Sequence, residues 1–149
     1  MRFEELAGTF GERINTLEGY TANNVYCVGD GCEYTTIQSA YNAAVSSYGG
    51  TIVIFPGTYD EAITMSANSD SYDIKFVGLC REKCIWKSST FGYANACFTG
   101  SGNLTFANLT FVKGTPSSES QGGYCLHMDY PDMQGNMYVD NCTLISYEN

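Results

Sequence analysis

Two stretches of this sequence can be laid on one another without a gap, and that repeat leaves few folds open to the chain. Asn103-Leu-Thr-Phe-Ala-Asn-Leu-Thr-Phe111 matches Asn136-Met-Tyr-Val-Asp-Asn-Cys-Thr-Leu144 at an offset of 33 residues. Each copy reads as two short strands joined by a bend, with apolar residues alternating along both. Such a unit cannot bury its inner face alone, but stacked units share a continuous core, so the repeat predicts a solenoid of parallel strands. In that solenoid Leu104 falls on Met137, Phe106 on Val139, Leu109 on Cys142 and Phe111 on Leu144, and all eight are expected to point into one core. Asn108 and Asn141 fall at the same bend, where Asn tolerates a left-handed backbone and its amide can bond to the amide above. They are predicted to form an Asn ladder.

A weaker copy comes earlier, in Asp73-Ile-Lys-Phe-Val-Gly-Leu79, with Gly78 in the place of Asn108. From Thr51 on, short β runs are divided by Gly, Pro, Asn, Asp and Ser: residues 51–55, 62–65, 74–77, 84–87, 96–99, 104–106, 109–111, 124–128, 137–139 and 142–145. Spacings of 22 to 33 suit a coil of three strands with loops of varying length, which makes about four coils in all. Ahead of them, Thr35 and Gln38 read as a capping box, with Ile37, Ala40, Tyr41, Ala44 and Val45 on one apolar helix face and Gly49-Gly50 as the stop. Residues 1–19 carry Phe3, Leu6, Phe10, Ile14 and Leu17 at helical spacing. They are expected to form an amphipathic helix covering the open edge of the first coil, or a seam for trimerisation. The chain thus divides into an N-terminal amphipathic segment, 1–19, and one β domain, 20–149, expected to be incomplete at its C-terminal end.

Sixteen acidic against seven basic side chains give a formal charge of −9, which repels phosphates and anionic lipid heads. No nucleic-acid partner is expected. The same charge opposes a polyanionic sugar unless a cation bridges carboxylate to carboxylate, so Ca²⁺ is the one cofactor the sequence leaves room for. Neutral or esterified glycans face no such barrier. No stretch approaches the ~20 apolar residues that span a bilayer, so no membrane insertion is expected, and the opening residues lack the apolar core of an export signal. A virion-associated or cytoplasmic location is expected over Sec secretion. Seven cysteines without a CxxC spacing imply no metal site, and Cys27 with Cys32, like Cys80 with Cys84, reads either as a local disulfide or as buried thiols.

Tyr34-Thr-Thr-Ile-Gln-Ser-Ala-Tyr-Asn-Ala-Ala44, followed by Gly50-Thr-Ile-Val-Ile-Phe-Pro-Gly-Thr-Tyr59, resembles the opening of pectinesterases and related pectin-lyase-fold proteins. So do Ile74-Lys-Phe-Val-Gly78 and the repeat at 103–111, and the resemblance covers about residues 24–147. It implies an all-β fold: a right-handed parallel β-helix with N-terminal capping helices. Asn24-Val-Tyr-Cys-Val-Gly-Asp-Gly-Cys-Glu-Tyr-Thr-Thr-Ile37 is also similar to openings of phage appendage β-helices. In pectinesterases an Asn-Cys-Ser/Thr strand leads into Tyr-Gln-Asp, whose Asp is the general acid. Here the matching Asn141-Cys-Thr-Leu-Ile-Ser-Tyr147 puts Glu148 at the Gln place and Asn149 at the Asp place. Asn has no titratable proton near neutrality, so no catalytic residue is assigned.

Trp86, Tyr124, Tyr130 and Tyr138 are the candidate stacking faces for sugar rings, because an aromatic ring offers apolar area with a polar rim. Asp129, Asp132 and Asp140 lie within one coil of each other and would converge on a cation or a sugar hydroxyl. His127, without a paired nucleophile or ligand set, reads as structural or solvated. Asn103, Asn108 and Asn141 satisfy the N-x-T glycosylation pattern, but bend and strand geometry already account for these residues. The function expected is a glycan-directed binding or structural module, such as a phage tail-spike or baseplate component. Its partner would be a polysaccharide or cell-surface glycan, and the module a homo-oligomer with a trimer as the candidate assembly. The alternative is the N-terminal fragment of a carbohydrate-active enzyme, a pectinesterase-like hydrolase or polysaccharide lyase, inactive as it stands.

Overall fold

Alternation of apolar and polar side chains over four or five residues, broken by Gly, Asn or Pro, builds short strands and sharp bends, and these dominate the chain. The computed structural model describes residues 24–65, 73–89, 94–98, 102–114, 123–128 and 135–146. Within them lie β1 (Val25–Val28), α1 (Ile37–Ser46), β2 (Gly50–Ile54), β3 (Gly57–Asp60), β4 (Ile63–Met65), β5 (Ile74–Gly78) and β6 (Cys84–Ser88). They are followed by β7 (Ala94–Phe98), β8 (Leu104–Ala107), β9 (Thr110–Lys113), β10 (Tyr124–Met128), β11 (Met137–Asp140) and β12 (Thr143–Ser146). The amphipathic segment expected at 1–19 falls outside the described residues.

All named strand pairs are parallel, in three sheets: β1-β2-β5-β8-β11, then β3-β6-β9-β12, then β4-β7-β10. From β2 onward the chain visits the first, second and third sheet in turn and returns, so each strand pairs with the one three places later. The 33-residue repeat is seen directly in the register: Leu104 pairs with Met137, Phe106 with Val139 and Phe111 with Leu144. β1 and β3 were not among the expected strands. β3 begins within the Pro56-Gly57 turn and continues into Tyr59, whose side chain is buried.

The core is a set of columns of like residues. Ile52, Phe76 and Phe106 follow one another in the first sheet, and Tyr59, Trp86 and Phe111 in the second. Phe76 and Phe106 stack with centroids 5.0 Å apart, and Phe106 meets Phe111 edge-on at 5.5 Å. Offset and edge-to-face pairs of this kind add about 0.5–1.5 kcal/mol each beyond area burial. Four of the eight expected core positions are not buried, and of these Met137 and Cys142 are half-buried against the core. Val139 and Leu144 remain 44% and 49% exposed, because β11 and β12 are the last described strands of their sheets.

α1 packs on β1 and β2, and its Ile37, Ala40, Tyr41 and Ala44 are buried while Val45 is only half-buried. Tyr26 and Val28 of β1 are themselves buried, so the core is closed at its β1 end, with α1 packed there. The cap is Thr36 and not Thr35: Thr36 holds an extended backbone, and its hydroxyl oxygen accepts from Ser39 N at 3.2 Å. The next two amides of the helix are satisfied from afar, with Ile37 N donating to Glu61 Oε1 at 2.8 Å and Gln38 N to Glu61 Oε2 at 2.9 Å. A carboxylate there answers both the unpaired N–H groups and the positive end of the helix dipole.

Candidate functional site

Bends at both margins of the first sheet are tied by amide side chains. On the side leading to the second sheet, Asn108 and Asn141 adopt φ of 55° and 46°, the left-handed region, and Asn141 Nδ2 donates to Asn108 Oδ1 at 2.8 Å. Gly78 occupies the same column because a Cβ there would collide with the backbone oxygen of Asn108. Arg81 closes the column from outside, its Nη1 donating to Asn141 Oδ1 at 2.8 Å while Nε and Nη2 hold Glu82. At the opposite margin there is a second, unexpected column. Asn103 Nδ2 donates to Asp73 Oδ1 at 2.8 Å, and Asn136 Nδ2 donates to Asn103 Oδ1 at 3.0 Å. The common lead position of all three copies, Asp73, Asn103 and Asn136, carried that signal. The amide nitrogens of Asn103 and Asn141, which glycosylation would consume, are engaged in these columns.

The carbohydrate candidates fall in three groups. Trp86 cannot meet a sugar: it is fully buried between Phe76, Phe106 and Phe111, and its Nε1 donates to Glu61 O at 3.0 Å. The assignment as a stacking face is corrected to a core residue, since Trp86 alternates inward with Cys84 and Ser88 along β6. Tyr130, Asp129 and Asp132 lie outside the described residues. Tyr124, 45% exposed on β10, sets its ring 5.1 Å from that of His127. Tyr138, 54% exposed, points outward from β11 in register with Thr105, and Asp140 is exposed at the end of the same strand. Tyr124 thus stands on the third sheet, and Tyr138 with Asp140 on the first. Among the described residues no three His, Cys, Asp or Glu side chains form a metal-binding group.

A buried polar group where the second sheet turns toward the third was not anticipated. Ser88, Asn95 and Lys113 are the buried polar residues of the described core, and Lys113 Nζ donates to Ser88 Oγ at 3.1 Å. Asn95 Nδ2 donates to Trp86 O at 2.8 Å and to Val112 O at 3.1 Å, which fixes the amide's orientation and leaves Oδ1 without a partner among the described residues. Cys125 lies above it and points its thiol at Ile145 O, 3.4 Å away. Burial pushes the Lys113 ammonium toward its neutral form and the Cys125 thiol toward its protonated form. Burial likewise raises Cys27, Cys32, Cys84 and Cys142. These thiols stay protonated near neutrality and are poor nucleophiles. Six of the cysteines are described, and all six are free thiols.

No protein-family model matches the sequence, and no curated protein matches it. Among the described residues no helix is long and apolar enough to cross a membrane.

Proposed function

We propose that the chain is a parallel β-helix of the pectin-lyase kind, with three strands to a coil, and that it works as a glycan-directed binding or structural module like those of phage tail-spikes and baseplates. The cyclic order of the three parallel sheets and the amide columns at the bends support the fold reading.

The observation that carries the functional reading is Tyr124 against His127. The tyrosine is 45% exposed on a strand whose register is set by β7, and its ring lies 5.1 Å from the imidazole. An aromatic ring with few rotatable bonds offers stacking area at little entropic cost, which is what a sugar face requires. Tyr138 offers a second such ring on another face. The net charge of −9 selects neutral or esterified polymers over polyanions.

Binding of the purified chain to immobilised neutral, methyl-esterified and polyanionic polysaccharides tests this. Retention on a neutral or esterified polymer, weakened about tenfold by Tyr124→Ala, is the expected result. Equal retention on all surfaces, or none above a bare matrix, would sink the reading.

A further inference from the structure

Three enclosed polar side chains share one corner of the core, where the second sheet turns toward the third. Ser88 and Lys113 are register partners on β6 and β9, and Lys113 Nζ donates to Ser88 Oγ at 3.1 Å. Asn95 on β7 reaches the same corner. Its Nδ2 donates to the carbonyl of Val112, the residue before Lys113, and to that of Trp86, whose next inward neighbour along β6 is Ser88. Ser88, Asn95 and Lys113 are 0%, 0% and 1% exposed. The strands β6, β7 and β9 are each paired on both sides, so the corner lies inside the stack. Its hydrogen bonding does not close. An ammonium has three donors, and Ser88 Oγ takes one of them. Asn95 Oδ1 is enclosed and has no partner among the described residues. Turning the amide over gives no relief, because Oδ1 would then face the two carbonyls that now accept from Nδ2.

We infer that this corner binds one water molecule, which accepts from Lys113 Nζ and donates to Asn95 Oδ1. An enclosed acceptor without a donor is costly, and so is an ammonium short of acceptors. A single ligand relieves both if it accepts on one side and donates on the other. A metal cation is repelled by the ammonium, an anion is repelled by the carboxamide oxygen, and an apolar molecule leaves both groups as they were. Water is the smallest neutral molecule that does both, and two protein partners meet the lower limit for internal waters. Cys125, above Asn95, does not take over this role, because its thiol points at Ile145 O and Phe111 O. The bound molecule explains how a lysine and an asparagine, both surface residues by type, sit together within an aromatic core.

A crystal structure of the full chain, at a resolution that orders internal waters, is the test. The expected result is one density peak of the size of water, about 2.7–3.2 Å from both Lys113 Nζ and Asn95 Oδ1. In solution the Asn95 side-chain amide protons should show cross-peaks to water with the sign of a bound molecule. Asn95→Leu removes the acceptor at nearly equal volume, and the peak should vanish with it. Should that variant fail to fold, the wild-type density and cross-peaks decide alone. A direct bond from Lys113 Nζ to Asn95 Oδ1, an empty corner, or a peak that survives in Asn95→Leu overturns the inference. So does a peak that gains anomalous signal when bromide replaces chloride, which would make the occupant an anion.

Discussion

Asn141 donates its side-chain amide to Asn108 one layer below, over 2.8 Å, while both residues hold a left-handed backbone. The two facts reinforce one another. The left-handed bend aims the side chains along the stack, and the hydrogen bond holds the bend. Asn141→Gly keeps the bend but removes the side-chain hydrogen bonds to Asn108 and Arg81, and should cost about 1–2 kcal/mol. Asn141→Ala adds the steric penalty of a Cβ at positive φ and should cost about 1–2 kcal/mol more. Urea denaturation of the pair measures the difference, and equal losses would show that the bend carries no strain relieved by Asn.

Glu61 ties the helix to the strands. Glu61→Ala strands the amides of Ile37 and Gln38 at a partly buried helix start and should destabilise by about 2 kcal/mol, as for charge-assisted hydrogen bonds. Thr36→Ala, which removes one neutral cap, should cost about 1 kcal/mol. Thermal unfolding ranks the two, and the reverse order would remove Glu61 from the capping role.

Trp86 is the chain's single tryptophan and is fully buried. Its fluorescence should be blue-shifted and should not respond to a bound polysaccharide. Trp86→Ala should cost about 3–5 kcal/mol by opening a cavity among Phe76, Phe106 and Phe111. Quenching of the native emission by added glycan, without unfolding, would contradict the core assignment.

Lys113 is held below the ordinary lysine value by burial. The folded state then carries fewer protons than the unfolded one in the window between the two values, so stability rises with pH across it. Lys113→Met fills the same space without the charge and should be more stable than wild type at neutral pH by about 1 kcal/mol. The advantage is fully present below the folded value and fades as pH climbs toward the unfolded one. A variant less stable than wild type at pH 7 would mean that the bond to Ser88 outweighs the burial of the charge.

The register of β8 with β11 and of β9 with β12 was legible in the sequence because an ungapped repeat puts equivalent side chains in the same column. Alternation also placed the inward face of α1 and most of the strands. Tertiary context supplied the rest. Glu61 caps a helix that begins 24 residues earlier, and no local pattern marks that partnership. Asn95 and Lys113 look like surface residues by type, yet both are enclosed where the second sheet turns into the third. Trp86 has the chemistry of a sugar platform and the parity of a core residue, and parity decided. Val139 and Leu144 have core parity, but no described strand lies over them.

Because each strand is paired only with the layers directly before and after it, the layers need not come apart together. Among the described strands β2, β5, β6, β7, β8 and β9 are paired on both sides, whereas β1, β3, β4, β10, β11 and β12 are paired on one. Amides of the strands paired on one side should open locally before those of the strands paired on both. Tyr124 and Tyr138, the rings exposed on strands, sit on two of the singly paired ones, β10 and β11. A ligand that grips them binds only the closed form and so draws the opening equilibrium shut, by about 2.7 kcal/mol at a hundredfold excess over its dissociation constant. Occupancy at the rings would then be readable as slowed amide exchange in β10–β12, with little change in the melting of β2, β5 and the aromatic column between them.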